Sequence, residues 1–313
     1  MLGRTADSLY WMARYMERAE NMSRILDVGL RMSLINSSPE TRNSTWVSTL
    51  EVIGGQEEFA ERFDVINRDN VIQFLALDPK NPSSIFSTLH AARENGRALR
   101  GTITTEMWES LNATWLEIRD ADGQGVRSRD HRDLFDWVKE RAHLFRGVTN
   151  GTMLQDDSFE FTRLGWYVER AGYTARLLDS KYHILLPSAE EVGGAVDYYQ
   201  WGALLRSVSA FRAYHKIYSN VITPRRVAEL LIMQADMPRS LHSCLNQITA
   251  SLDQLCDRRP FECRRLAGEL HARIAYGSMK GIFDRGLHEF LTEFIEDCSD
   301  LGDQIQRDFL MLA

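Results

Sequence analysis

Two stretches of the chain carry residue types that could do chemistry, at matched spacing. "YMERAENMSRILD" (15–27) and "YVERAGYTARLLD" (167–179) share seven of thirteen residues. They place Glu17, Arg18 and Arg24 in register with Glu169, Arg170 and Arg176, 152 positions further on. Such a pattern supports three roles. The copies can pair with each other, because the planar guanidinium fork takes a carboxylate through two parallel hydrogen bonds. They can line one cavity that binds an anionic or peptide-like ligand, or does acid–base work, since crowded carboxylates shift in pKa. Or they can form a docking surface for another protein. The residue types leave all three open.

On a helix turning 100° per residue, Tyr10, Arg14, Glu17, Asn21 and Arg24 form a narrow polar stripe. Opposite it Trp11, Met12, Tyr15, Ala19, Met22, Leu26 and Leu30 make the expected core face. The second copy carries Thr162, Trp166, Glu169, Tyr173 and Arg176 on its stripe, and Leu164, Tyr167, Ala171, Thr174 and Leu178 opposite. The acids and arginines are kept in both copies, whereas Glu20/Gly172 and Asn21/Tyr173 differ. Trp166 and Tyr173 do not suit a face bathed in water, so the stripe is expected to meet a helix, a cleft or a partner. With Tyr182, these aromatics favour docking.

Other chemistry is fainter. "ARENGRALRG" (92–101) sets Arg93, Arg97 and Arg100 in a basic ridge, which makes Arg93 and Arg97 further anion-binding candidates or part of a solvated face. "ERAH" (140–143) supplies one Glu-x-x-His, but a carboxylate-bridged metal site needs a second, and the corresponding segment reads "DCSD"; no metal is expected. Asp284 and His288 stand at the spacing of a helix-surface pair. No Gly-rich phosphate loop, GxSxG elbow or HExxH motif is present, so no cofactor is expected and any ATP chemistry belongs to another protein.

The elements that must position these residues are helices. Apolar residues recur at i, i+3, i+4 and i+7, with no clear period-2 run. Pro39, Pro82, Pro224 and Pro238 each open a helical run as first-turn prolines, and glycines at 54–55, 123, 125 and 193–194 mark stops or tight joints. The repeat extends beyond the opening phrase: Trp46 and Leu50 match Trp201 and Leu205, "NPSSIFSTL" (81–89) matches "MPRSLHSCL" (237–245), and "HRDLFDWVKE" (131–140) weakly matches "HEFLTEFIED" (288–297). The offset grows steadily from 152 to 157, as a duplication with small loop insertions would make it. The expected fold is all-α: two related helical-bundle halves of five or six helices each, residues 1–152 and 153–313, packed through a pseudo-twofold interface into one composite domain.

Composition agrees with a large core and sets limits on partners. Hydrophobic residues are 44% of 313, and the net charge of −7 argues against a general nucleic-acid binder. The cysteines (Cys244, Cys256, Cys263, Cys298) form no CxxC pair and read as reduced thiols of a cytoplasmic protein. The first twenty residues lack the apolar run of a signal peptide, and no window reaches the ~18 apolar residues of a membrane span.

With "MLGRTADSLYWMARYMERAENMSRILDV" and "GTMLQDDSFEFTRLGWYVERAGYTARLLDSKY" on the page, the chain resembles the bacterial alpha-E domain family over residues 1–310. That all-helical family opens on "LSRxAxxLYWMGRYLERAEN", carries "ARENAR" centrally and later reads "GTMLRDEGWxFxxLGRxLERA". Two departures stand out: Gln155 replaces an Arg after "TML", and Trp166 replaces the Arg of the later Gly-Arg. The resemblance implies genetic company with a circularly permuted ATP-grasp protein and a transglutaminase-like protein, hence a place in peptide or amide-bond metabolism. Under it the chain is a helical accessory or substrate-positioning partner of an ATP-grasp amide or peptide ligase. The alternative is an enzyme acting on an amide or amino-acid-like substrate through Glu17/Glu169 and Arg24/Arg176.

Overall fold

A computed structural model describes residues 3–35, 39–119, 130–183, 194–218, 221–257 and 259–310, the side chains of 35, 39–42, 182–183 and 195–196 excepted. Helix dominates, and no strand is present among the described residues. The first half runs α1 (Gly3–Ile35), α2 (Pro39–Ile53), α3 (Gln56–Ala60), α4 (Arg68–Ile72), α5 (Ile85–Ala98), α6 (Thr105–Arg119) and α7 (His131–Thr152). The second runs α8 (Asp157–His183), α9 (Ala195–Ser207), α10 (Phe211–Tyr218), α11 (Pro224–Ile232), α12 (Leu241–Cys256), α13 (Glu262–Ala275), α14 (Met279–Arg285) and α15 (Leu287–Ile305). Short helices such as α3, α4 and α14 lift the count above the five or six expected per half.

Helix starts follow from local chemistry. Thr223 caps α11 with Pro224 at its first position, as expected. Pro82 and Pro238 differ from expectation: each lies two residues before a serine N-cap rather than inside the helix. Ser84 Oγ accepts from the Ser87 amide at 3.1 Å and donates to the Asp78 carbonyl at 2.7 Å. Ser240 Oγ does the same with the Ser243 amide (2.9 Å) and the Gln234 carbonyl (2.6 Å). Gly54, at φ +78°, closes α2 in the left-handed region that favours glycine, and Gly194 caps α9; Gly123, Gly125 and Gly193 lie outside the described residues.

Helices α1 and α8 lie side by side at the centre. A Cβ on Gly165 would stand 2.3 Å from the Tyr10 carbonyl oxygen and 3.1 Å from the Ala13 Cβ, so the two backbones touch where glycine alone fits. Around α1 pack α2, α5 and α7; around α8 pack α9, α12 and α15; α2 also reaches α8 and α9 reaches α1. Trp46 and Leu50 on α2, and Trp201 and Leu205 on α9, are all buried. One hydrophobic cluster spans both halves. The expected core face is buried as read, Met12, Ala19, Met22 and Leu26 fully so, and the central position adds a second buried face: Tyr10, Glu17, Asn21 and Arg24 of the polar stripe are buried as well. No described helix is long and apolar enough to cross a membrane.

Candidate functional site

The stripes of α1 and α8 meet, and the acid of each Glu-Arg dipeptide takes the arginine of the other. Arg170 donates from Nε and Nη2 to the two oxygens of Glu17 at 2.9 and 2.8 Å. Arg18 donates from Nε and Nη2 to those of Glu169 at 2.6 and 3.2 Å. Each acid then gains another guanidinium: Arg14 Nε reaches Glu169 at 2.7 Å, and Arg146 Nη1, from α7, reaches Glu17 at 2.7 Å. The arginine seven residues after each acid, Arg24 or Arg176, is not the cross-helix partner; the adjacent Arg18 and Arg170 are.

Glu20, fully buried one turn beyond Glu17, anchors a second cluster. It accepts from Arg24 Nε (2.9 Å) and Nη2 (2.7 Å), from Arg146, and from Arg239, which arrives from the turn before α12. Arg24 also donates to the Ser207 carbonyl, and Arg239 to Asn21 Oδ1 at 2.8 Å. His143 on α7 brings Nε2 to 3.4 Å from Glu20. Burial works to raise the pKa of all three carboxylates, and the guanidiniums outweigh it. Arg170, Arg146 and Arg239 leave Glu17 lowered against the neighbouring Glu20; Arg239, Arg146 and Arg24, with His143, lower Glu20 well below its usual range. Arg18 and Arg14 hold Glu169 at about 2. Burial, reinforced by Arg24 and Arg170, pushes Arg239 down to about 10 despite Glu20.

At the corresponding place on α8 the packing opens. A cavity of about 200 Å³ is lined by Arg14, Arg18, Glu169, Gly172, Tyr173 and Arg176, by Ile53 and Ser83 of the first half, and by Val168, Ile295, Cys298 and Ser299. Among the described residues Arg176 has no carboxylate partner; its guanidinium lies beside Gly172 and 5.7 Å from the Tyr173 ring centre. Burial pushes the Tyr173 phenol up and the Cys298 thiol to about 12, so both stay protonated at neutral pH and Cys298 is not a thiolate nucleophile. All four cysteines are free and buried.

The remaining sequence candidates fall elsewhere. Arg93 and Arg97 both pair with Glu94 (Arg97 at 2.7 Å), and Arg93 and Arg100 lie over Trp108; neither Arg93 nor Arg97 lines the cavity. Trp166 is not a surface aromatic: it is buried edge-on against Phe145 of α7. Tyr173 walls the cavity, and the Tyr182 side chain lies outside the described residues. His288 pairs with Asp179 on α8 at 2.6 Å rather than with Asp284. No group of three or more His, Cys, Asp or Glu that could hold a metal occurs among the described residues. Sequence reasoning missed Arg146, Arg239, Ser83 and the role of Glu20. The signal for two of them was present: Arg239 and Ser83 occupy matching positions of "MPRS" and "NPSS", as Glu20 and Gly172 do on the central helices.

The fold and the site together define an all-helical protein with a Glu-Arg dipeptide on each of two central, mutually paired helices. The chain belongs to the Alpha-E family, described as "a predicted alpha-helical domain with a conserved ER motif", whose model matches residues 1–310. It is similar to uncharacterized proteins of Mycobacterium bovis and Mycobacterium tuberculosis, 24% identical over 292 residues that cover 87% of this chain. The match covers 32% of those relatives, so the chain spans about a third of their length. No solved structure matches it.

Proposed function

We propose that the chain is a duplicated helical unit that binds an anionic ligand between its halves and positions it for a partner enzyme, an ATP-grasp amide or peptide ligase. The boundary falls between α7 and α8, near residue 152. Support for duplication comes from the reciprocal Glu17–Arg170 and Glu169–Arg18 pairs, the matching neighbours of α1 and α8, and the twin serine caps. A pseudo-twofold axis relating the halves passes near Ala13 and Gly165, which correspond in sequence and touch in space.

The observation that carries the ligand reading is Arg176: a guanidinium with no carboxylate partner among the described residues, beside a cavity of about 200 Å³. Charge favours an anion as well. Three carboxylates (Glu17, Glu20, Glu169) face seven guanidiniums (Arg14, Arg18, Arg24, Arg146, Arg170, Arg176, Arg239) in a chain whose net charge is −7. The positioning role is preferred to the enzyme alternative because each of the three acids is already engaged by two or more guanidiniums, which leaves none of them poised to exchange a proton with a substrate. A matched region that forms part of a longer chain in the mycobacterial relatives suits a unit that works beside others. ATP-grasp partnership is tested by reconstituting the ligase with this chain and with Arg176→Gln. Wild type should bind the ligase and raise product formation, and the variant should bind without raising it. A ligase that neither binds nor responds to the wild-type chain would remove the partnership.

A further inference from the structure

The two central helices treat one position in opposite ways. On α1, Glu20 meets Arg24 one turn on, and Arg239 covers it from the turn before α12. At the matching places stand Gly172, Arg176 and, in the turn before α5, Ser83. Carboxylate and covering guanidinium are both absent there, and the cavity occupies the space. Only Arg176 is retained. A Cβ on Gly172 would meet only the Arg176 Nη1, at 3.2 Å, the far end of a flexible side chain.

We propose that this cavity receives the carboxylate of a small organic acid, seated beside Gly172 on Arg176 as the Glu20 carboxylate is seated on Arg24. This rests on the anion-binding reading above and adds the ligand class. The Arg176 fork offers two parallel donors, the arrangement that a planar carboxylate matches. Arg14 and Arg18 already share Glu169, so among the described residues Arg176 is the lining arginine with no carboxylate on its fork, and a planar carboxylate matches that fork better than a tetrahedral phosphate does. Ile53, Val168 and Ile295 supply an apolar wall for the body of the acid.

The test has a built-in mimic. Gly172→Glu places a carboxylate in the slot, and Gly172→Gln has the same shape without the charge; helix propensity and cavity filling are shared and cancel. Gly172→Glu should melt above Gly172→Gln by about 2 °C or more, and the gap should vanish when Arg176→Gln is added to both. No gap, or a gap that survives without Arg176, overturns the proposal. In parallel, isovalerate and inorganic phosphate are titrated into wild type, Arg176→Gln and Gly172→Glu, followed by methyl resonances of Ile53 and Ile295. Isovalerate should shift them saturably in wild type alone, and phosphate should not. Phosphate binding that depends on Arg176, without isovalerate binding, would leave an anion pocket standing and sink the carboxylate assignment. Binding of neither would sink both. Should Gly172→Glu fail to fold, the wild-type and Arg176→Gln titrations decide alone.

Discussion

Glu17 and Glu169 stay ionised in a buried setting because two or more guanidiniums clasp each of them. Desolvation of such a carboxylate is offset only while its partners are in place, so removal of one partner strands the other. Arg170→Gln, which strips Glu17 of its bidentate donor, should cost ~3–5 kcal/mol in denaturant unfolding. Arg176→Gln should change stability by less than ~0.5 kcal/mol, since it breaks no ion pair among the described residues. Acid should tell the same story. A depressed carboxylate contributes stability that is fully present above its unfolded value and is lost as pH falls through its folded one. For Glu169 that window runs from the ordinary 4.5 down to about 2, a loss on the order of 3 kcal/mol. Unfolding followed against pH should show a steep fall below 4.5, and Glu169→Gln should flatten part of it at the expense of stability at neutral pH. At this scale the sequence was half legible. The repeated Glu-Arg dipeptides marked the right atoms, but Arg146 and Arg239 lie 129 and 222 residues from Glu17 by chain count, and the match of "MPRS" with "NPSS" singled out position 239 without saying which acid it meets.

Among the elements, α1 and α8 owe their closeness to one residue without a side chain. Gly165→Ala would drive a methyl group into the Tyr10 carbonyl and must push the two helices apart, shifting the Glu-Arg pairs with them. The expected loss is ~1–3 kcal/mol or more, the range of overpacked cores, measured by thermal or denaturant unfolding. The serine caps offer a milder comparison. Ser84→Ala and Ser240→Ala each remove an N-cap acceptor and a buried donor to a carbonyl, at ~1–2 kcal/mol each, and because the two serines share no hydrogen-bond partner the losses should add. Helical class and the pairing of the two repeated helices could be read from periodicity and the repeated phrases; the caps at Ser84 and Ser240 fell two residues beyond the prolines that marked them. The depth to which the opposite, polar side of α1 is buried could not be read. A helix wheel assigns one face to the core on the assumption that charge seeks water, and here charge seeks charge in the interior.

The molecule as a whole has one core, to which both halves contribute. Expressed separately, residues 1–152 and 153–313 would each expose a Glu-Arg stripe and half of that core, so neither should show a cooperative melt alone, whereas mixing them should restore one; circular dichroism on the pieces and the mixture checks this. The sealed sulfhydryls give the same architecture a clock. All four sit in the second half, out of solvent, with Cys298 against the cavity. A maleimide dye should therefore stay idle on the native chain and mark it only during openings, reporting how often that half breathes. Occupancy of the cavity should slow the mark at Cys298 more than at Cys256 or Cys263.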